Sequence, residues 1–235
     1  MKRIVLALAH HWLFFLNLLI AIWVGLPWLA PVMMHWGWTG TANAIYLLYS
    51  FQCHQLPERS FFLLGKQAMY SLTEIQSVWQ QTTDPFILRQ FIGNPDMGWK
   101  VAWSDRMVSM YTSILPASLL YGLVRKQMKP ISFWMFALLL LPMVMDGSAH
   151  TISDLAGIGQ GFRDTNVWLQ ILTRNYFPIT FYQGDAFGSF NSWMRLLTGL
   201  LFGIALVAFA FPYLNNAFAD IVRRSEATLL KGLQQ

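Results

Sequence analysis

A chain of 235 residues that is 55% hydrophobic and 11% charged, with a mean hydropathy of +0.42, is too apolar for a soluble domain, where charged residues make up roughly a quarter. The excess of basic residues gives a net charge of +5, but they are dispersed; that suits cytoplasmic loops and anionic lipid headgroups and argues against nucleic acid as a partner. A single cysteine excludes an internal disulfide framework, and the length without linker or repeat points to one integral membrane domain over residues 1–235.

Met1-Lys2-Arg3 opens an apolar run that continues to Pro31, longer than the apolar core of a secretory signal, so the first span is expected to remain as an anchor. Four stretches have the length of a membrane span: residues 12–34, 107–124, 131–145 with its continuation, and 193–214. Each is expected to be helical, because lipid offers no partner to an unpaired backbone group, and Pro27, Pro31 and Pro142 should kink or end them. The stretch YSFQCHQLPERSFFLLG, residues 49–65, is different. Residues 44–51 and 61–65 are each too short to span and residues 52–60 between them are polar, so it reads either as a re-entrant hairpin or as a fifth, interrupted span. The re-entrant reading puts the basic N-terminus, the Arg125-Lys126/Lys129 loop and the Arg223-Arg224/Lys231 tail all in the cytoplasm, as the positive-inside bias prefers. The expected fold is therefore all-α: a polytopic helical membrane bundle with four full spans, a re-entrant or interrupted helical hairpin and short interfacial helices.

Ser71-Leu72-Thr73-Glu74 has the form of a capping box, with Ile75, Val78 and Trp79 following at helical spacing; Asp84-Pro85 opens a second short helix that Gly93 can close. Val167, Trp168, Ile171 and Leu172 suggest a third, all three lying on the membrane interface, and residues 182–190 (YQGDAFGSF) are turn-rich. In the tail, residues 214–235, Phe218, Ile221, Val222, Leu229 and Leu233 stand opposite Arg223, Arg224 and Lys231, the pattern of a cytoplasmic amphipathic helix. Trp36, Trp38, Trp99, Trp103 and Trp193 fit aromatic belts, and His10, His11 and His35 fit the interface.

Consecutive spans alternate direction, so Ser104-Asp105-Arg106, residues 146–150 (DGSAH) and residues 191–195 (NSWMR) must share one face, which the charge bias makes extracytoplasmic. A re-entrant hairpin adds Cys53, His54, Glu58 and Arg59 to that face, and Arg163 on a following loop closes it. Asp146, His150 and Asp154 recur every four residues and stack on one face of a helix that continues past Gly147. They read either as an acid/base or metal site, with His54, Asp146 and His150 as ligands of a divalent metal, or as an intramembrane counter-ion, Asp146 to Arg106 or Arg195, with His150 a hydrogen-bonder. Cys53-His54 is a ligand pair or site wall, or a small buried thiol beside a capping histidine. A nucleophile-base pair is geometrically poor there, since adjacent residues on regular structure do not face each other. Two function classes follow for a multi-pass protein of the cell membrane. One is a polar, metal-binding site near the outer face that binds or acts on a lipid or lipid-borne small molecule. The other is a non-catalytic subunit whose buried charges lock helices while interfacial helices dock a membrane protein partner.

These blocks resemble a known family. CHQLPERS, residues 106–111, LPMVMDG and NSWMRLLTGLLFG are similar, in order, to blocks of the bacterial membrane-protein family catalogued as domain of unknown function 2085, over most of residues 51–203. The resemblance implies a small multi-span membrane protein with no settled activity. Many relatives carry Cys-x-Arg-Cys where this chain has Ser104-Asp105-Arg106-Met107, so two thiols that would join Cys53 and His54 around a metal are replaced, with Asp105 left as an oxygen ligand.

Overall fold

A computed structural model describes the backbone of residues 2–233 and the side chains of residues 4–227. Helix α1 (Lys2–His10) leads into α2 (Trp12–His35), then α3 (Thr39–Ser50), strand β1 (Ser60–Leu63), α4 (Leu72–Val78), α5 (Pro85–Leu88), β2 (Gly93–Asn94) and β3 (Gly98–Ser104). There follow α6 (Asp105–Thr112), α7 (Ile114–Val124), α8 (Phe133–Asp154), α9 (Phe162–Thr165), α10 (Val167–Leu172), α11 (Ile179–Tyr182) and α12 (Phe190–Leu233). Among the described residues four helical segments are long and apolar enough to cross a membrane: Trp12–His35, Asp105–Val124, Phe133–Asp154 and Phe190–Ala227. Pro27, Pro31, Pro142 and Pro212 lie inside these helices without ending them.

Burial is inverted relative to a soluble bundle. Phe14, Leu18 and Ile22 of α2, Leu120 and Leu123 of α7, Leu138 and Met145 of α8 and Leu200 and Ile204 of α12 point outward, as lipid-facing side chains must. With no apolar driving force between helices in lipid, close backbone packing and polar contacts hold them together. Gly199 and Gly203 let α12 lie against α6 and its C-cap: a Cβ on Gly203 would stand 2.0 Å from Ser113 Oγ and 2.7 Å from the Met110 carbonyl. Ser118 on α7 donates to Asn17 on α2. At one end of the bundle Trp12, Tyr121, Val207 and Phe211 form a core on which Met128 and Phe218 pack, so the basic 125–129 turn gathers with α1 and the α12 tail. His10 and Glu226 meet there at 3.5 Å. The tail continues the last span as a single helix, and the side chains of Leu229, Lys231 and Leu233 lie outside the described residues.

The hairpin at residues 49–65 corrects one expectation. Its first arm is α3, which returns along α2, with the Tyr49 hydroxyl donating to the Trp23 carbonyl at 2.6 Å. Its second arm is not helical: Ser60–Leu63 is β1, antiparallel to β3 in a three-stranded sheet of order β1-β3-β2. Ser-Phe-Phe-Leu alternates buried and half-buried positions, which suits a strand with a partner, and β3 supplies one through Ser60↔Ser104 and Phe62↔Lys100. The sheet needs glycine at its turns: a Cβ on Gly65 would stand 1.9 Å from the Met97 carbonyl oxygen, and Gly98 has φ +76°. Further expectations shift with it. Ser71 and Glu74 do form a capping box for α4, but Ile75 is fully buried against Phe62, Tyr70 and Phe91, so α4 covers the sheet. Helix α5 ends at Leu88, and Gly93 starts β2 instead of closing it. Trp103 is no belt residue: it is buried, stacked on Tyr111 at 4.9 Å and edge-on to Tyr49 at 5.1 Å. Helix α10 leaves Val167, Trp168, Ile171 and Leu172 exposed, and Val78 and Trp79 at the end of α4 and Phe86 of α5 are exposed as well.

Candidate functional site at the polar end of the bundle

The loop after α3 is fixed by Gln55, a non-glycine residue held at φ 55°. Its side-chain amide donates to the carbonyls of Tyr46 (2.8 Å) and Ala102 (3.0 Å), and its own carbonyl accepts from Lys100 Nζ at 2.7 Å. Lys100 is wholly buried, also donates to the Arg89 carbonyl at 2.6 Å, and burial pushes its ammonium down to about 7. Cys53 Sγ accepts from the backbone N–H groups of Gln55 and Ser104, each at 3.3 Å, so the thiol ties the loop to the end of β3. A single 3-10 turn at Pro57–Arg59 then delivers Glu58 and Arg59 inward.

Four arginines and four aspartates meet at this end. Arg59 grips Asp154 with both terminal nitrogens at 2.7 Å and gives Nε to Asp185 at 2.7 Å. Arg195 gives Nε to Asp105 at 2.8 Å and NH1 to Asp185 at 2.5 Å. Arg106 and Arg163 each place a nitrogen 2.7 Å from one oxygen of Asp146. Buried ions of either sign are costly unless paired, and here charge and geometry are matched. Asp185, between two guanidinium groups, is held far below the usual carboxylate range despite burial. Gly147 allows Arg106 to lie across α8, since a Cβ there would stand 2.7 Å from its NH1.

Cys53, His54, Arg59, Arg106, His150 and Arg195, with Gly147, Thr151 and Asp154, line one cleft of about 240 Å³. His54 and His150 thus share a face, and α8 runs unbroken through Asp146, His150 and Asp154. Asp105, Asp146 and Arg163 stand behind the cleft as buried partners, and Glu58 lines a different, outer cavity. The counter-ion reading of Asp146 holds for Arg106; Arg195 goes to Asp105 and Asp185 instead, and Arg163 takes the second oxygen of Asp146. At the point where a metal would bridge Asp146 and His150 stands a guanidinium. Arg163 NH2 sits 2.7 Å from Asp146 and 3.2 Å from His150 Nε2, so a cation already occupies the point between those two side chains. Among the described residues no three His, Cys, Asp or Glu side chains are grouped to hold a metal ion. Because a guanidinium can only donate, His150 Nε2 accepts, and the proton on Nδ1 has no hydrogen-bond partner among the described residues. Asp185, in the turn-rich segment before the last span, is the site member that periodicity could not reveal. Asn191, within the NSWMR block, accepts from Arg163 at 3.1 Å and braces it.

Residues 96–209 match the family described as "Predicted membrane protein (DUF2085)", which supports the resemblance carried by the last three sequence blocks; CHQLPERS lies outside the matched stretch. An uncharacterized protein of Methanocaldococcus jannaschii is 24% identical over 143 residues, covering 58% of this chain and 68% of that protein. That relative is archaeal, so similarity to this chain is not confined to bacteria. No solved structure matches the chain.

Proposed function

We propose that this chain is a multi-pass protein of the cell membrane that binds a lipid, or a small molecule carried on one, with an anionic headgroup in the cleft between the 53–59 loop and α8. The observation that carries this reading is the partly buried Arg106 guanidinium in the cleft wall, whose only hydrogen-bond partner among the described residues is Asp146, with His150 beside it in the same wall and its buried Nδ1–H unpaired. Phosphate or carboxylate oxygens are the acceptors such donors fit. The cleft also has an apolar continuation. Met107 lines it, and Tyr111, one turn further on α6, lines an apolar pocket of about 320 Å³ with Leu19, Ile20 and Trp23 of α2. Side chains four apart share a helix face, so a headgroup in the cleft would send its chain along that face.

The test uses Thr151→Trp, which fills the cleft from an outward-facing position and leaves every arginine-aspartate pair in place. Purified protein in mixed nanodiscs is expected to retain phosphatidylglycerol over phosphatidylcholine by native mass spectrometry, and the variant is expected to lose the preference. Equal retention by both proteins refutes the reading. The second reading, a scaffold subunit, draws on the pairing of all four arginines and on the bare apolar face of α10; it predicts that Thr151→Trp changes nothing while Trp168→Ala weakens an assembly recovered with the intact protein.

A further inference from the structure

Outside the spans, the α4 region, the α8–α9 turn and the segment before α12 enclose a cavity of about 610 Å³, within the size range of small-molecule sites. Its wall carries Glu58, Asp164 and Asp185 with hydroxyl and amide groups such as Thr73, Gln76 and Gln160, and, among the described residues, no Lys, Arg or His. Asp185 is committed to Arg59 and Arg195. Asp164 spends one oxygen on the Gly161 N–H at 2.8 Å. Glu58 is 1% exposed, and neither of its carboxyl oxygens has a hydrogen-bond partner among the described residues, the Arg59 Nε standing off at 4.0 Å. A buried carboxylate left in this way loses its hydration without replacement, which a ligand donor restores.

We infer that this outer cavity binds a small hydroxylated organic cation, of the amino-sugar or amino-alcohol class, with its ammonium on Glu58 and Asp164 and its hydroxyls on the amide and hydroxyl wall. Anions find no counter-charge there, and the volume far exceeds a bare ion. Burial pushes the Glu58 carboxyl up to about 7 and that of Asp164 to about 6. Around Glu58, Arg59 and Lys100 favour its ionised form and Asp185 opposes it; around Asp164, Arg59 favours ionisation and Asp185 and Asp154 oppose it. Cation binding therefore strengthens as pH rises through 7. The site is separate from the cleft and does not depend on the lipid reading.

The test is calorimetric titration of the whole chain in detergent with glucosamine, ethanolamine and glucose at pH 5.5 and near pH 7.5. At the higher pH glucosamine is expected to bind at least ten-fold more tightly than glucose, ethanolamine to bind measurably, and the advantage of glucosamine to shrink at pH 5.5. Glu58→Gln, which keeps shape and removes charge, is expected to abolish the preference while Thr151→Trp keeps it. Circular dichroism checks that Glu58→Gln is folded, and Asp164→Asn, with an expected partial loss, serves if it is not. Equal binding of glucose and glucosamine, binding of neither, or an unchanged preference in both carboxylate variants overturns the inference.

Discussion

Arg106 and Asp146, 40 residues apart in sequence, meet at 2.7 Å between α6 and α8 and tie two spans whose backbones make few contacts of their own. Asp146 also holds Arg163, so the two arginines are not equivalent to their shared carboxylate. Removing Asp146 takes the carboxylate from the buried Arg163 and the partly buried Arg106 together, whereas removing Arg106 leaves Asp146 with one arginine. Asp146→Ala is therefore expected to lower stability by about 3–5 kcal/mol and Arg106→Met by less than half of that. Thermal unfolding in detergent, followed by tryptophan fluorescence, measures both; a larger loss for Arg106→Met contradicts the shared pairing.

The contact of α12 with α6 makes a sharper steric prediction. A methyl group at Gly203 meets Ser113 Oγ and, at 2.7 Å, the Met110 carbonyl, which is backbone and cannot turn aside. Gly203→Ala is expected to cost about 1–3 kcal/mol through overpacking. Ser113→Ala in the same chain should recover part of that loss but not all of it. Gly25, with open space around the position of a Cβ, should accept alanine without loss and serves as the control.

The spans and the convergence of the site were legible because both rest on long-range regularities: apolar length, and the alternation that any chain crossing a membrane several times must obey. Asp105, Arg106, Asp146, His150 and Arg195 were placed together on that ground, without any knowledge of contacts. The sheet was not legible, since β1 has four residues and its partner lies beyond three intervening elements, so neither strand carries a local signal strong enough to announce the pairing. Asp185 escaped for a related reason. It sits in a turn with no periodicity, and its role follows from Arg59 and Arg195, which are 126 and 10 residues away. Trp103 shows the limit of composition: an aromatic residue at the start of a span looks like a belt residue until β3 carries it into the core between Tyr49 and Tyr111.

The short basic segments next to the spans predict an orientation: the 125–129 turn packs at the end where α1 and the α12 tail meet, and the positive-inside bias would put that end in the cytoplasm and the sheet, the cleft and the outer cavity on the other side. In a Cys53→Ser background, single cysteines at positions 66, 96 and 175 are expected to label from outside in intact cells and one at position 127 only after permeabilisation. Labelling of position 127 from outside reverses the assignment.

Glu58 also sets a pH dependence of stability. Burial raises its carboxyl from 4.5 to about 7, with Arg59 and Lys100 pulling it down and Asp185 pushing it up. A carboxyl whose folded value lies above its unfolded one stabilises the fold while protonated: the contribution is complete below about 4.5 and lost as pH rises through about 7. Lys100 acts in the opposite range. Its value falls from 10.5 to about 7, so the cost of burying it charged grows as pH falls across that window and is constant below it. Stability from these two groups is therefore lowest near neutrality. Glu58→Gln mimics the protonated acid at every pH. It is expected to match the wild type near pH 4.5 and to exceed it at pH 8 by about 3 kcal/mol, the free energy of a shift from 4.5 to about 7. Arg59 keeps Asp154 and Asp185 in the variant, so no arginine is stranded. Thermal unfolding at pH 4.5, 6, 7 and 8 in the absence of ligand reads the difference directly. A variant that tracks the wild type over the whole range, or is the weaker of the two at pH 8, shows that Glu58 is satisfied as a carboxylate.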